Sequence, residues 1–286
     1  MSEGVIMSKP NTLRPVLKGL GAYALAILAT LFFAFPVFWM ASSSLKSELD
    51  ISQYPPVFTS FEPSLVNYAE LFTQLDALDA FINSAVIVAM ATSLAMICGT
   101  MAAYALARFD MKGKEVMAFE VLSIRMLPPI VSVIPMFIIA RTLGIFDTYW
   151  LLAAAYGLAG LPFVVWVMRV FIQDIPQSIE EAAMIDGCSR FETFRRVTLP
   201  LLLPGLAATM VIVFMFSWNE FLLASMLTSQ EAKTLPVIAA NAIKPKSIAW
   251  GLASAAGVMM SLPVVVLVLL MQRYLVRGLT LGAVKG

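Results

Sequence analysis

Apolar residues along this chain gather into runs long enough, at about 20 helical residues each, to cross the hydrocarbon core of a bilayer. Six stand out, at roughly 17–41, 82–107, 116–140, 148–172, 199–227 and 250–276. They predict an all-α, polytopic membrane protein with six transmembrane helices forming a single domain over residues 1–286. The third run is the weakest, because Glu120 and Arg125 lie inside it. Most runs contain proline: Pro36, Pro128, Pro129, Pro135, Pro162, Pro204 and Pro263. Bends at such positions are tolerated where neighbouring helices or cavities satisfy the freed carbonyls, so these helices suit a translocation path better than a passive anchor.

The longest polar interruption in the C-terminal half is the loop at 174–198. Pro176 ends the preceding run, and Ser178 with Glu181 three residues on reads as a capping box. Acidic groups in a first helical turn suit the positive end of the helix dipole. Gly187 can take the left-handed conformation that ends a helix, so a short helix is expected from Ile179 to Asp186. A second helical piece, Arg190 to Val197, leads toward the next span at Pro200.

Composition agrees with the pattern. The chain is 60% hydrophobic and 13% charged, with a mean hydropathy of +0.87, whereas a soluble domain carries about a quarter charged residues. A net charge of +1 offers nothing to nucleic acid. The absence of histidine removes the commonest general base and metal ligand. Cys98 in a span and Cys188 in the loop support neither a disulfide framework nor a zinc site. The first run follows Lys9, Arg14 and Lys18, is too long for a signal-peptide core, and reads as an uncleaved span.

Six spans put both chain ends on one side, and basic residues choose the side. The N-terminal segment, the second connection (Arg108, Lys112, Lys114), the fourth (Arg169, Arg190, Arg195, Arg196) and the C-terminal end (Arg273, Arg277, Lys285) hold 13 of the 19 Lys and Arg residues. Lys46, Arg141, Lys233, Lys244 and Lys246 fall on the opposite side, with Arg125 inside the bilayer. Both termini and the loop around Glu181 are therefore expected in the cytoplasm.

No Gly-rich phosphate loop ending in Lys-Ser/Thr occurs, so the chain is not expected to hydrolyse ATP. Nor does any pattern supply a base for a Ser or Cys nucleophile. The long outer connection, 42–80, has enough aromatic and apolar residues to fold against the spans, as a cap over helix ends or as a docking surface. Ser217-Trp218-Asn219-Glu220-Phe221 sits toward the outer end of the fifth run. A carboxylate there needs a wet cavity or a partner. Asn219 and Glu220 can bind solute hydroxyls or hydrogen-bond neighbouring helices. Arg125, five residues after Glu120, is poorly placed to pair with it along one helix. It can pair with Glu220 or another chain, or meet an anionic solute.

The loop also carries a resemblance. Glu181-Ala182-Ala183, three residues, Gly187, nine residues, then Val197-Thr198-Leu199-Pro200 resembles the EAA loop of ABC-importer permeases, with Val where Ile is often found. The alternative for the short helix alone is an amphipathic turn on the membrane surface. The ending from Gln272 to Gly286 resembles the C-terminus of the MalG-like carbohydrate permeases, and Trp218-Asn219-Glu220-Phe221 resembles their fifth-span motif. Together these cover most of the second half and the six-span plan.

The resemblance implies the type I (MetI-like) permease fold and a place in a bacterial inner membrane. It implies a coupling helix carrying Glu180, Glu181, Ala182, Ala183, Asp186 and Gly187, seated in a groove of a cytoplasmic ATPase. It also implies a second permease subunit, two ATPase subunits that bind the ATP and Mg, an extracytoplasmic solute-binding protein, and no cofactor on this chain. Arg125, Asn219 and Glu220 become candidates for the translocation path of a sugar, polyol or sugar derivative. The rivals are an ABC permease for another small polar solute, and a gradient-driven secondary transporter using Glu120, Arg125 and Glu220 as an ion relay.

Overall fold

A computed structural model describes residues 13–58, 60–244 and 247–281, with side chains between 21 and 272 except at 59 and 243–248. The side chains from Arg273 onward and the last five residues, which carry the expected tail, lie outside the described residues, as do Lys9, Lys246 and Lys285. The chain is all-α. Its one β feature among the described residues is an antiparallel ladder of Ile243–Lys244 with Ser247–Ile248.

In order come α1 (Leu13–Ser44), α2 (Glu48–Ser52), α3 (Val66–Gln74) and α4 (Ala77–Arg108). They are followed by α5 (Lys114–Ser123), α6 (Pro129–Thr142), α7 (Tyr149–Gln173), α8 (Gln177–Ile185) and α9 (Arg190–Thr193). The chain ends with α10 (Leu199–Leu201), α11 (Leu203–Trp218), α12 (Leu222–Leu227), α13 (Leu235–Ala240) and α14 (Trp250–Leu281). Helices α1, α4, α7 and α14 are each long and apolar enough to cross a membrane unbroken.

The expected third and fifth spans are not continuous helices. The run at 116–140 divides into Lys114–Met126 and Pro129–Thr142, set at 89°. A proline disfavours the helical conformation of the residue before it. Leu127 and Pro128, each preceding a proline, are accordingly extended, with ψ near 130°. Pro129 then opens α6 in the first-turn position, where a missing N–H costs no bond. The run at 199–227 is cut twice. Arg190–Leu201 meets α11 at 76°, around Leu202 and just before Pro204. After Trp218 the chain leaves the helix and restarts as α12.

The core is built on α4 against α7. Buried positions on α4 (Ala80, Ser84, Ile87, Ala91, Ala95, Gly99, Ala103 and Leu106) recur every three or four residues and form one small-residue face. A Cβ on Gly99 would lie 2.7 Å from Val164 Cβ, and one on Gly157 would lie 2.8 Å from Leu94 Cδ2. Such close approach, which only small residues permit, is how apolar helices gain packing energy where no water is displaced. The third layer, α11, brings Gly205 onto the Phe171 ring and Val213 onto Gly160. Trp218 at its end is buried, stacks on Phe214 and donates from Nε1 to Met260 O of α14 at 2.9 Å.

Helix α1 packs on α14, where Met40 Sδ occupies the space a Cβ on Gly257 would need. Elsewhere it exposes Leu25, Ile27, Leu28, Leu31, Phe32 and Phe33, a sheath suited to lipid. The outer connection folds down on the helix ends as a cap. Lys46 is buried against the Trp39 and Phe61 rings and donates to Val57 O at 2.6 Å. Asn67 ties Ser44 O and Lys46 O, and Glu48 accepts from Gly251 N.

Gly99→Leu should therefore drive a side chain into Val164. Overpacking of this kind costs about 1–3 kcal/mol. The expected result is a lower thermal midpoint and less monodisperse protein in detergent. Gly21→Leu, with nothing within 4 Å of its Cβ, should leave both unchanged.

Candidate functional site

The interrupting loop forms the short helix the sequence predicts, starting two residues earlier, at Gln177, and ending at Ile185. Its N-cap is Pro176, whose carbonyl accepts from Ile179 N, with no side-chain cap. Extended Pro176 already turns the chain, so Ser178 and Glu181 fall inside the first turns rather than forming the expected capping box. The box that does form is Ser189 with Glu192, opening α9: Ser189 N donates to Glu192 Oε2 at 3.0 Å, and Glu192 N to Ser189 Oγ at 3.3 Å. The Ser189 backbone N–H and its hydroxyl, which donates to Oε2 at 2.9 Å, together with Arg196 hold the Glu192 carboxyl below the usual range.

Gly187 behaves as predicted, at φ +93°. Cys188 N donates to Ala183 O and Gly187 N to Met184 O, closing the helix with the paired bonds of a Schellman motif.

Glu180 and its neighbour Glu181 take different directions. Glu181, Ala182, Asp186 and Gly187 are exposed and Ala183 is half-buried, so these five form the free surface of α8. Glu180, expected among them, points inward and is only 4% exposed. Its Oε2 meets Arg108 Nε at 3.0 Å and the Tyr104 hydroxyl at 3.3 Å, and Oε1 accepts from Thr198 Oγ1 at 2.8 Å. Arg108, from the last turn of α4, also donates to Ile172 O and Ile175 O at the end of α7. One buried cluster thus joins α4, α7, α8 and the π-helical turn Phe194–Thr198. Arg108 was legible only as a cytoplasmic charge; its partner lies 72 residues away. The sequence reading also missed Ile185 (86% exposed) and Phe191 (64% exposed), large apolar side chains on this polar loop.

At membrane depth the broken helices line a half-open cavity of about 580 Å³. The break after α5 places Arg125 on its wall, and the break after α11 places Glu220 there. They do not pair. The Arg125 guanidinium lies over the Phe216 and Phe163 rings, at 4.6 and 5.2 Å. Glu220 instead accepts from Leu223 N and Ala224 N, capping α12. Asn219 is exposed, donates to Met215 O at 2.8 Å, and does not line the cavity. Glu120 is exposed on α5 and off the cavity too, so the three charges of an ion relay are not assembled.

At the end of the bundle opposite α8, Asp147 stands at φ +60° before α7 and accepts from Gln230 N, Glu231 N and Ala232 N. Asn83 of α4 donates to Glu231 O and Lys233 O, and Ser84 accepts from Leu235 N. Desolvation alone would raise the Asp147 carboxyl, but these amide donors outweigh it and hold it below its ordinary range.

The chain resembles known proteins along nearly all its length. Residues 95–281 match the family described as binding-protein-dependent transport system inner membrane component. A probable ABC transporter permease protein, y4oR, of Sinorhizobium fredii is 35% identical over 275 residues, 96% of this chain and 98% of that one. The trehalose transport system permease protein SugB of Mycobacterium tuberculosis is 38% identical over 269 residues, 91% of this chain and 97% of that one. In the crystal structure of a bacterial ABC transporter involved in import of the acidic polysaccharide alginate, one chain superposes with a TM-score of 0.73 at 22% identity, covering 94% of this chain and 99% of that one.

Two measurements check the geometry. Removing one partner of a buried pair strands the other charge, at about 3–5 kcal/mol. Glu180→Gln should therefore lower the thermal midpoint, and Arg108→Met with Glu180→Leu should recover much of the loss in a double-mutant cycle. For Asp147 the depressed folded pKa gives a contribution present above the ordinary carboxylate value of about 4 and lost as pH falls below it. Protection of the Gln230–Ala232 amides from exchange, taken relative to the intrinsic rate at each pH, should fall under those acid conditions, and Asp147→Asn should lower the same protection at neutral pH.

Proposed function

We propose a function from one plain premise: this chain belongs to the family of binding-protein-dependent transport system inner membrane components. It is a multi-pass inner-membrane permease of an ABC importer. Within such an importer, we infer, it carries a sugar, polyol or sugar derivative together with a second, related permease chain. A solute-binding protein delivers the solute from outside. ATP and Mg bind to two separate ATPase subunits, and this chain supplies no ATP site. Both chain ends face the cytoplasm, a reading supported by the distribution of basic residues. The trehalose permease among its relatives supports the carbohydrate class.

The observation that carries the mechanism is the division of labour on α8. Its outer face offers Glu181, Asp186 and the apolar Ile185, while its inner face is bolted by Glu180 to Arg108, which also holds the carbonyls of Ile172 and Ile175. A partner that grips the outer face thus moves the ends of α4 and α7 with it. Helix α8 needs little flexibility of its own; the buried cluster passes displacement on as a rigid unit. The breaks flanking the cavity are where the spans can change angle. ATP binding closes the ATPase pair, α8 follows, and the cavity exchanges inward for outward access.

The test is reconstitution with the ATPases, the second permease and the binding protein. Exposed apolar side chains of this size contribute about 1.5–3 kcal/mol when buried at an interface. Ile185→Asp should therefore cut co-purification of the ATPase subunits by about tenfold or more, with membrane insertion unaltered. Glu181→Lys should assemble poorly or lose solute-stimulated ATP hydrolysis. Full stimulation in both variants would refute the docking assignment.

A further inference from the structure

The cavity holds two charges of opposite sign that do not pair with each other. Arg125 and Glu220 are the only charged side chains among the described residues that line it. We propose that this cavity is a subsite for an uncharged, hydroxyl-rich solute, with Arg125 as its hydrogen-bond donor and Glu220 as its acceptor. The proposal rests on the importer reading and narrows its substrate class.

Size is compatible: about 580 Å³ falls within the roughly 300–1,000 Å³ typical of small-molecule sites. The guanidinium offers only donors, five N–H bonds in a fixed plane. Phe163 and Phe216 hold that plane by its face, leaving its edges for a ligand. Among the described residues no carboxylate lies within ion-pairing distance of it. A bare cation in a span is costly unless it meets a partner or a wet cavity, and here it meets the cavity.

Glu220 offers only acceptors. Backbone amides of α12 hold its carboxylate in place, and the residue still contributes to the cavity wall.

Charge decides the class. An anionic solute drawn to Arg125 would also face the Glu220 carboxylate, and a cationic one would face Arg125. A hydroxyl group both donates and accepts, so neighbouring hydroxyls on a ring can satisfy the two walls together. Leu127, Val131, Met136 and Leu158 supply apolar surface between them, matching the C–H faces of a sugar ring. Placing the two charges in one cavity thereby removes the case for an anionic solute that Arg125 makes by itself.

The experiment uses the complete importer in proteoliposomes. Uptake is measured for trehalose, maltose, glucosylglycerol and sorbitol, and for glucuronate, glucose 6-phosphate and sulfoquinovosyl glycerol. The expected result is ATP-dependent uptake confined to neutral compounds. Arg125→Gln should lower uptake of the transported compound at least tenfold while complex yield and thermal midpoint hold, and Arg125→Lys should restore part of it. Uptake of a charged compound by the unaltered importer would overturn the proposal. So would normal uptake by Arg125→Gln, or loss of complex yield in that variant, which would mark Arg125 as a pairing partner of the second permease. An assembled complex that hydrolyses ATP and moves none of the panel would bring down the carbohydrate reading itself, and this subsite with it.

Discussion

The contact of α4 with α7 is what the rest of the molecule hangs on. Gly99 and Gly157 let the two backbones approach to a distance that any larger residue would forbid. In hydrocarbon, where apolar side chains gain nothing by leaving lipid, close packing of this kind is the main source of helix association. Each end of the pair then carries a polar attachment. At the inner end Arg108 holds the last carbonyls of α7 and the Glu180 carboxylate of α8. At the outer end the Tyr149 hydroxyl donates to Asn83, which in turn donates to the carbonyls of Glu231 and Lys233. The loop that carries α8 and the loop that caps the opposite end are both fastened to one pair.

Around that pair α1 and α14 run unbroken, while the third and fifth membrane segments are broken, and the breaks answer to one constraint. Backbone groups at membrane depth must be paired inside a helix or face protein or a cavity. Pro128 and Pro129 remove donors and force the preceding residues into extended conformations; Pro204 and the Asn219–Phe221 turn interrupt the later segment. The break at Leu127–Pro129 and the one after Trp218 open onto the same space of about 580 Å³. A continuous helix at either place would present hydrogen-bonded backbone and apolar side chains. The breaks instead deliver one guanidinium and one carboxylate to a shared wall.

The two charged clusters are handled in opposite ways. The Arg108 and Glu180 side chains are both buried; the carboxylate is held by Arg108, Tyr104 and Thr198, and Arg108 Nη2 by two carbonyls. That arrangement suits a joint that must move as a unit. Arg125 is stacked on aromatic rings, a weaker and less directional contact, and keeps its donor edges free. That arrangement is the one the proposed solute subsite requires of Arg125.

The sequence alone determined the membrane class, the number of apolar segments, the short helix before Gly187 and the left-handed turn that ends it. These are local or compositional properties: run length, proline placement and the absence of a Cβ act within a few residues and need no distant partner. Only the tertiary structure decided that Glu180 turns inward while Glu181 faces out, because the choice depends on Arg108 lying 72 residues earlier. It decided that the third and fifth segments bend by 89° and 76°, since proline permits either a kink within a helix or a break, and the space available around it selects one. It decided, too, that Arg125 and Glu220 share a cavity without pairing, while Asn219, adjacent in the chain, stands outside it. Charges on separate helices come together only through packing, and packing here is set by small residues whose role is invisible until their neighbours are in place.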